Sequence, residues 1–98
     1  MLKWVCVKVR ARLYKLPFGY SFYIPKQDGV EVLERADWLV LSVGDYAFPA
    51  RHHRKGKGFI VAVPRWARKW LEELILDGRL QVKQDVKILV YVIPRAKD

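Results

Sequence analysis

From Leu2 to Tyr14 the residues alternate in polarity with a period of two. Val5, Val7, Val9, Ala11 and Leu13 fall on one side; Trp4, Cys6, Lys8, Arg10, Arg12 and Tyr14 fall on the other. Successive side chains of a strand point to opposite faces, so this pattern specifies a long strand with one face for a core. Everything else in the chain has to supply that face with a partner.

The remaining elements follow from local signals. KLPFG (Lys15–Gly19) reads as a turn, YSFYI as a second strand ending at Pro25, and KQDG as another turn. VEVLERA fits either a short strand or a single helical turn. WLVLSV (Trp38–Val43) is short and apolar on both faces, which predicts a central strand. GDYAFPARHHRKGKG, punctuated by glycine and proline, reads as a long loop leading into the strand FIVAV (Phe59–Val63). Pro64 suits the first position of a helix. The following run places Trp66, Ala67, Trp70, Leu71, Leu74 and Ile75 on one stripe, predicting a helix over 64–77 with Gly78 as its stop. Trp38, Trp66 and Trp70 are expected in the core, leaving Trp4 exposed. RLQVKQDVKILVYVIP supplies a last strand or a hairpin, with Val86–Ile93 its buried part. The predicted class is α+β: a small, mostly antiparallel sheet or partly closed barrel of five or six strands, in one domain spanning 1–98, with one main helix.

Composition narrows the class of protein. Hydrophobic residues make up 52% and aromatics 13%, too apolar for disorder. The lone Cys6 excludes an internal disulfide and fits a reducing cytoplasm. The apolar run ILVYVI (Ile88–Ile93) is far shorter than the about 20 residues that cross a bilayer, and basic residues interrupt the apolar positions near the N-terminus, unlike a signal peptide. A soluble, cytoplasmic protein without a membrane partner is expected. The chain has no Asn and no Thr, a bias that points to a thermophilic, archaeal-like source.

The charge is uneven. Residues 1–26 hold six Lys/Arg and no acid, residues 27–50 one Arg against five acids, residues 51–70 seven Lys/Arg and no acid, and residues 71–98 five of each. Two acid-free basic blocks in a chain of net charge +9 imply a polyanionic partner, nucleic acid above all. On the first strand Lys8, Arg10 and Arg12 lie about 6.5–7 Å apart, close to the phosphate spacing of one nucleic-acid strand. Trp4 and Tyr14 flank them and suit base stacking. An edge strand guarded by charge would share this pattern. In RHHRKGKG (Arg51–Gly58), Arg51, Arg54, Lys55 and Lys57 supply charge, and Gly56 and Gly58 let backbone approach a phosphate. Arg65, Arg68 and Lys69 gather at a helix start, where free N–H groups add to an anion site, while Glu72 and Glu73 sit within i,i+4 reach of Arg68 and Lys69. The three groups are expected to form one electrostatic surface.

Two segments look alike: GYSFYIPK (Gly19–Lys26) and GFIVAVPR (Gly58–Arg65) share a glycine, an aromatic, a proline and a basic residue at the same spacing, each followed by an apolar strand. At these residues the chain resembles the AbrB/MazE-type swapped-hairpin DNA-binding fold, through FYIPK … WLVLSVGD (Phe22–Asp45) and a divergent second copy, IVAVPR … ILVYV (Ile60–Val92). In that family two such units intertwine into a small barrel that lies on DNA. The resemblance implies that this chain supplies both halves, that Lys26 and Arg65 are the basic residues after each strand proline, and that Gly44–Asp45 turn between the later strands. The second copy lacks GD, and the first 18 residues have no counterpart.

Other chemistry finds little footing. His52, His53 and the distant Cys6 do not make a zinc set, and neither Ser21 nor Ser42 has the context of a hydrolytic nucleophile. No cofactor motif is present. The one enzymatic alternative is a metal-independent ribonuclease built from His52 or His53 with Arg54 and Tyr46. The leading expectation is a small basic nucleic-acid-binding protein without catalysis, DNA favoured and a regulator or chromatin-type protein implied, binding through phosphates; a chain this short also suits a homodimer. A protein-interaction module of a phage-like or toxin–antitoxin system is the other class.

Overall fold

The alternation of the first strand is borne out: Val9, Ala11 and Leu13 are buried, while Lys8, Arg10 and Arg12 are exposed. The computed structural model describes residues 3–94. Strands β1 (Val5–Leu16), β2 (Gly19–Ile24), β3 (Trp38–Val43), β4 (Tyr46–Lys55), β5 (Gly58–Ala62) and β6 (Asp85–Val92) form a closed antiparallel barrel in the order β1-β2-β5-β4-β3-β6. The barrel therefore closes fully. Its interior is filled by alternate residues of every strand, among them Phe22, Leu41, Phe48, Val61 and Val90.

Two lids close the barrel. A 3₁₀ helix, Val30–Arg35, buries Val30 and Leu33 at one end, which resolves the ambiguous VEVLERA segment. At the other end α1 (Arg68–Leu76), entered through a 3₁₀ turn at Arg65–Ala67, buries Ala67, Leu71 and Leu74. The helix is shorter than the predicted 64–77, because Pro64 stays extended and residues 65–67 wind more tightly. The last segment is one strand: the stretch before β6 makes an isolated bridge from Val82 to Leu13 instead of a hairpin.

The larger correction concerns residues 44–58. No long loop exists there. Gly44 and Asp45 make a two-residue turn, after which β4 runs to Lys55 and a second two-residue turn, Gly56–Lys57, leads into β5. Glycine in the first turn position takes φ +59 in both, as the twist of a tight hairpin requires. Pro49 is tolerated because β4 pairs with β3 alone over residues 46–51; β5 joins only from His52 onward. Nor is β1 an edge strand guarded by charge, since it pairs with β6 over Val5–Arg12 and with β2 over Arg12–Leu16. Where β2 departs, the Gln27 amide takes over, accepting from the Arg10 N–H (2.8 Å) and donating to the Arg10 carbonyl (2.9 Å).

The two similar segments are β2 and β5, paired antiparallel about Phe22↔Val61. Each half of the chain is a hairpin, a helical connector and a third strand. The hairpin turns close at Leu16↔Gly19 and Lys55↔Gly58, so both partners shift by 39 positions from one half to the other (16 to 55, 19 to 58). Exchanging β1, β2, β3 with β4, β5, β6 leaves the barrel order unchanged. The halves interlock. β3 finds no partner in its own hairpin and pairs with β4 and β6, while β6 pairs with β1 and β3.

The seam between the halves is tight at Gly58, where a Cβ would collide with the Ile24 carbonyl oxygen and come within 2.8 Å of the Tyr23 hydroxyl. Gly58→Ala is expected to destabilise by about 1–3 kcal/mol, the range for forcing extra volume into a packed site. Urea denaturation followed by circular dichroism measures it, and an unchanged midpoint would contradict the close approach.

Candidate nucleic-acid interface

The outer face of the β2–β5 seam is where the two basic blocks meet. Cross-strand pairing sets Arg12, Tyr23, Ile60 and His53 in one row across β1, β2, β5 and β4. Tyr14, Ser21 and Ala62 make a second. Between them lies a groove of about 510 Å³ lined by Tyr14, Leu16, Ser21, Tyr23 and Ile60, with Lys55 and Gly56 of the hairpin turn on its far rim. A neighbouring hollow of about 260 Å³ shares Tyr14 and Tyr23 and adds Arg10, Arg12, Pro25 and Asp85. The two form one path from Arg10 to Lys55 over a tyrosine floor.

Strand register explains the arrangement. Arg10, Arg12 and Tyr14 are the outward residues of β1; Ser21 and Tyr23 are the outward residues of β2. Asp85 of β6 binds both arginines, at 2.9 Å to Arg12 Nη2 and 3.7 Å to Arg10 Nε. The hydrogen bond that Arg12 donates to Asp85, and after it the Tyr14 hydroxyl, hold the Arg12 pKa above its ordinary value. Asp85 thus neutralises one of two cations and fixes where they sit. The sequence alone places it 73 positions from Arg12.

The other predicted residues scatter. Lys26, Arg54 and Lys57 surround a smaller hollow beside the hairpin tip, where the 3₁₀ helix also brings Glu31 and Glu34. Arg54 is ion-paired with Glu34, so part of the acidic segment folds back onto the second basic block. Arg51 lies over the Trp38 ring, 4.7 Å from its centroid. Lys8 is exposed on the outer face of β1 opposite Leu89 of β6. Arg65, Arg68 and Lys69 are exposed at the end of β5 opposite the Gly56–Lys57 turn. Seven extended residues lie between Lys57 and Arg65, eight steps of about 3.3 Å or roughly 26 Å. The helix start thus lies at the end of the barrel away from that turn, whereas Arg10, Arg12 and Lys55 line two hollows that share Tyr14 and Tyr23. Of the two expected helix pairs, Arg68–Glu72 forms at 3.5 Å, but Glu73 accepts the hydroxyl of Tyr46. That contact raises the Tyr46 pKa, because ionisation would set a phenolate against a carboxylate.

The tryptophans correct the sequence reading further. Trp4 is exposed as expected, but Trp38 is 53% and Trp66 58% exposed, so neither is a core residue. Trp70 is half-buried and stacks on Tyr46 with ring centroids 4.9 Å apart. Trp38 is outward because it begins β3 in register with Arg51. Trp4, Trp38, Val40, Pro49 and Ile93 line an apolar hollow of about 420 Å³ away from the tyrosine groove.

Of the ribonuclease set, His52 and Arg54 line one hollow with Glu34, Asp37 and Phe59, while His53 and Tyr46 stand apart from it. Neighbouring strand residues face opposite ways, so His52 turns inward and His53 outward. Tyr46 begins the same strand that ends at Lys55, several residues from either histidine. His52 Nε2 lies 2.6 Å from the Leu33 carbonyl oxygen and donates to it, tying the 3₁₀ lid to β4, while its Nδ1 is buried without a partner. Among the described residues no group of three or more His, Cys, Asp or Glu gathers as a metal site, and no helix is long and apolar enough to cross a membrane.

No model of a known protein family, no curated protein and no solved structure matches the chain. The assignment of the site rests on its own geometry.

The two histidines should separate in a stability measurement. His52→Ala removes the side-chain hydrogen bond to the Leu33 carbonyl, which keeps only the Ala36 N–H at 3.4 Å, and an edge contact with Phe59, each worth about 0.5–1.5 kcal/mol and together about 1–3 kcal/mol. His53→Ala, on the exposed face, should stay within about 0.5 kcal/mol of the parent in the same denaturant titration.

Proposed function

We propose that the protein binds nucleic acid, DNA favoured, through phosphate contacts along the tyrosine-floored groove, without catalysing a reaction. One observation carries this reading: cations from two acid-free segments far apart in sequence, Arg10 and Arg12 from the first and Lys55 from the second, stand on the two rims of one surface path. Solubilising charge has no reason to converge on an aromatic floor. Lys26 and Lys57 beside the hairpin tip extend the positive field. A regulator of the AbrB/MazE type is the sharper form of this reading, and the interlocked halves of the barrel favour it. β1, which has no counterpart in that family's unit, supplies Arg10, Arg12 and Tyr14.

A second reading, a protein-interaction module or homodimer, is favoured by a separate observation. Trp4 (59% exposed) and Trp38 border an apolar hollow that nothing in the chain covers among the described residues. Concentration-dependent sedimentation abolished by Trp38→Glu would support a homodimer through this surface, and a complex with a partner protein that survives nuclease treatment would support a heterologous one.

Salt dependence tests the principal reading. Each phosphate neutralised contributes a slope of about −0.9 in log K against log salt on a duplex and about −0.7 on a single strand. Arg10→Ala or Lys55→Ala should weaken binding and flatten the slope by about that amount. Asp85→Asn frees Arg10 and Arg12, so it should tighten binding and steepen the slope. Fluorescence anisotropy between roughly 50 and 200 mM salt measures these effects, and a flat dependence in the parent protein would overturn the reading.

A further inference from the structure

Resting on the nucleic-acid reading, we propose that the groove is a seat for an unpaired strand: a base lies against Tyr14 and Tyr23, with flanking phosphates on Arg10 and Arg12 at one rim and on Lys55 at the other. The chemistry of the floor points there. Tyr14, Leu16, Tyr23 and Ile60 offer aromatic and aliphatic surface between the cations. A duplex keeps its base faces stacked inside and presents phosphates, so it gains nothing from such a floor. An unpaired base has a free π-face, and stacking on an aromatic side chain is tolerant of base identity.

Dimensions agree. Arg12 and His53 stand on the outer strands of a four-residue row, three strand spacings apart, about 14 Å along the surface. That leaves a lane for one strand between the rims. The groove volume of about 510 Å³ falls in the range that encloses a small organic ligand, the size class of a nucleotide.

Tyr23 is also held in place. The tip of Tyr23 rests over the bare backbone of Gly58, where a Cβ would approach Cζ to 3.0 Å. Tyr14 lines the same hollow as Arg12, whose guanidinium is anchored by Asp85. A stacking surface fixed before the ligand arrives loses less freedom on binding. The half-to-half relation sharpens the point: shifted by 39 positions, Tyr14 corresponds to His53 and Tyr23 to Ala62. The two halves of the groove therefore differ in chemistry, with the aromatic surface on the β1–β2 side and Lys55 across from it.

The test compares anisotropy titrations of labelled oligo-dT, oligo-U and a mixed-sequence duplex against the parent, Tyr14→Leu/Tyr23→Leu and Tyr23→Trp. Leucine keeps the outer wall apolar and removes the π-faces. The parent is expected to bind the single strands about ten-fold or more tighter than the duplex at matched salt. The leucine pair should lose about ten-fold or more on single strands, with duplex affinity and salt slope unchanged. Tyr23→Trp should bind single strands at least as well as the parent. Equal affinity for oligo-dT and oligo-U supports recognition of base face and phosphate alone; a preference for either supports the same seat with an added contact to the sugar or to the thymine methyl. Should the leucine pair fail to keep the parent's circular dichroism spectrum, Tyr14→Leu alone carries the comparison. Duplex binding as tight as single-strand binding, or single-strand binding indifferent to the leucine variants, overturns this inference and leaves the broader function standing. No binding to any of the three overturns both.

Discussion

The pairing of β2 with β5 about Phe22↔Val61 is the contact on which the barrel depends. It joins two hairpins that are otherwise separate. Without it the barrel opens into a sheet with β2 and β5 as free edges, its halves still joined where β3 pairs with β4 and β6 and where β6 pairs with β1. The seam is close enough that β5 begins with a glycine whose position admits no side chain. Closure then removes free sheet edges, and the connectors between second and third strands become lids: a short 3₁₀ helix at one end and α1 at the other.

The candidate site lies on the outside of that same seam. A barrel of this size is filled within by its own side chains, so any ligand has to be met on the outer wall. On this wall β1 and β2 contribute tyrosines and arginines, and the β4–β5 turn contributes Lys55. Acidic residues tune the surface from unexpected places. Asp85 arrives on β6 against Arg10 and Arg12, and Glu34 arrives on the 3₁₀ helix against Arg54. The cations with the strongest claim on a ligand are thus decided by pairing across the barrel more than by their density along the chain.

Much of the fold was legible locally. Period-two alternation marked β1, a short apolar run marked β3, and helical spacing marked α1 near its true position. β4 was missed because Pro49 and the glycines at 44, 56 and 58 carry turn signals, although Tyr46, Phe48, Ala50 and His52 do alternate inward. Local punctuation outweighed a periodicity that only a strand partner makes decisive. The tryptophans failed for a related reason. Large apolar residues are expected inside, yet the interior was already filled by Leu, Val and Phe, which left Trp38 and Trp66 on the surface. Tyr23 carried no signal of its role, since an outward tyrosine becomes part of a site only when strands from elsewhere frame it.

By itself the sequence determined which face of β1 is basic, that the charge lies in blocks, and that two glycine–aromatic–proline segments repeat. These are properties of neighbours along the chain, set by side-chain period and composition. Tertiary structure alone decided that RHHRKGKG is the end of one strand, a turn and the start of another, that its two histidines face opposite ways, and that Lys55 stands across a tyrosine groove from Arg10 and Arg12. The helix-start cations were left at the far end. The physical reason is that strand order and register in a closed barrel choose which distant residues become neighbours, and no local pattern contains that choice.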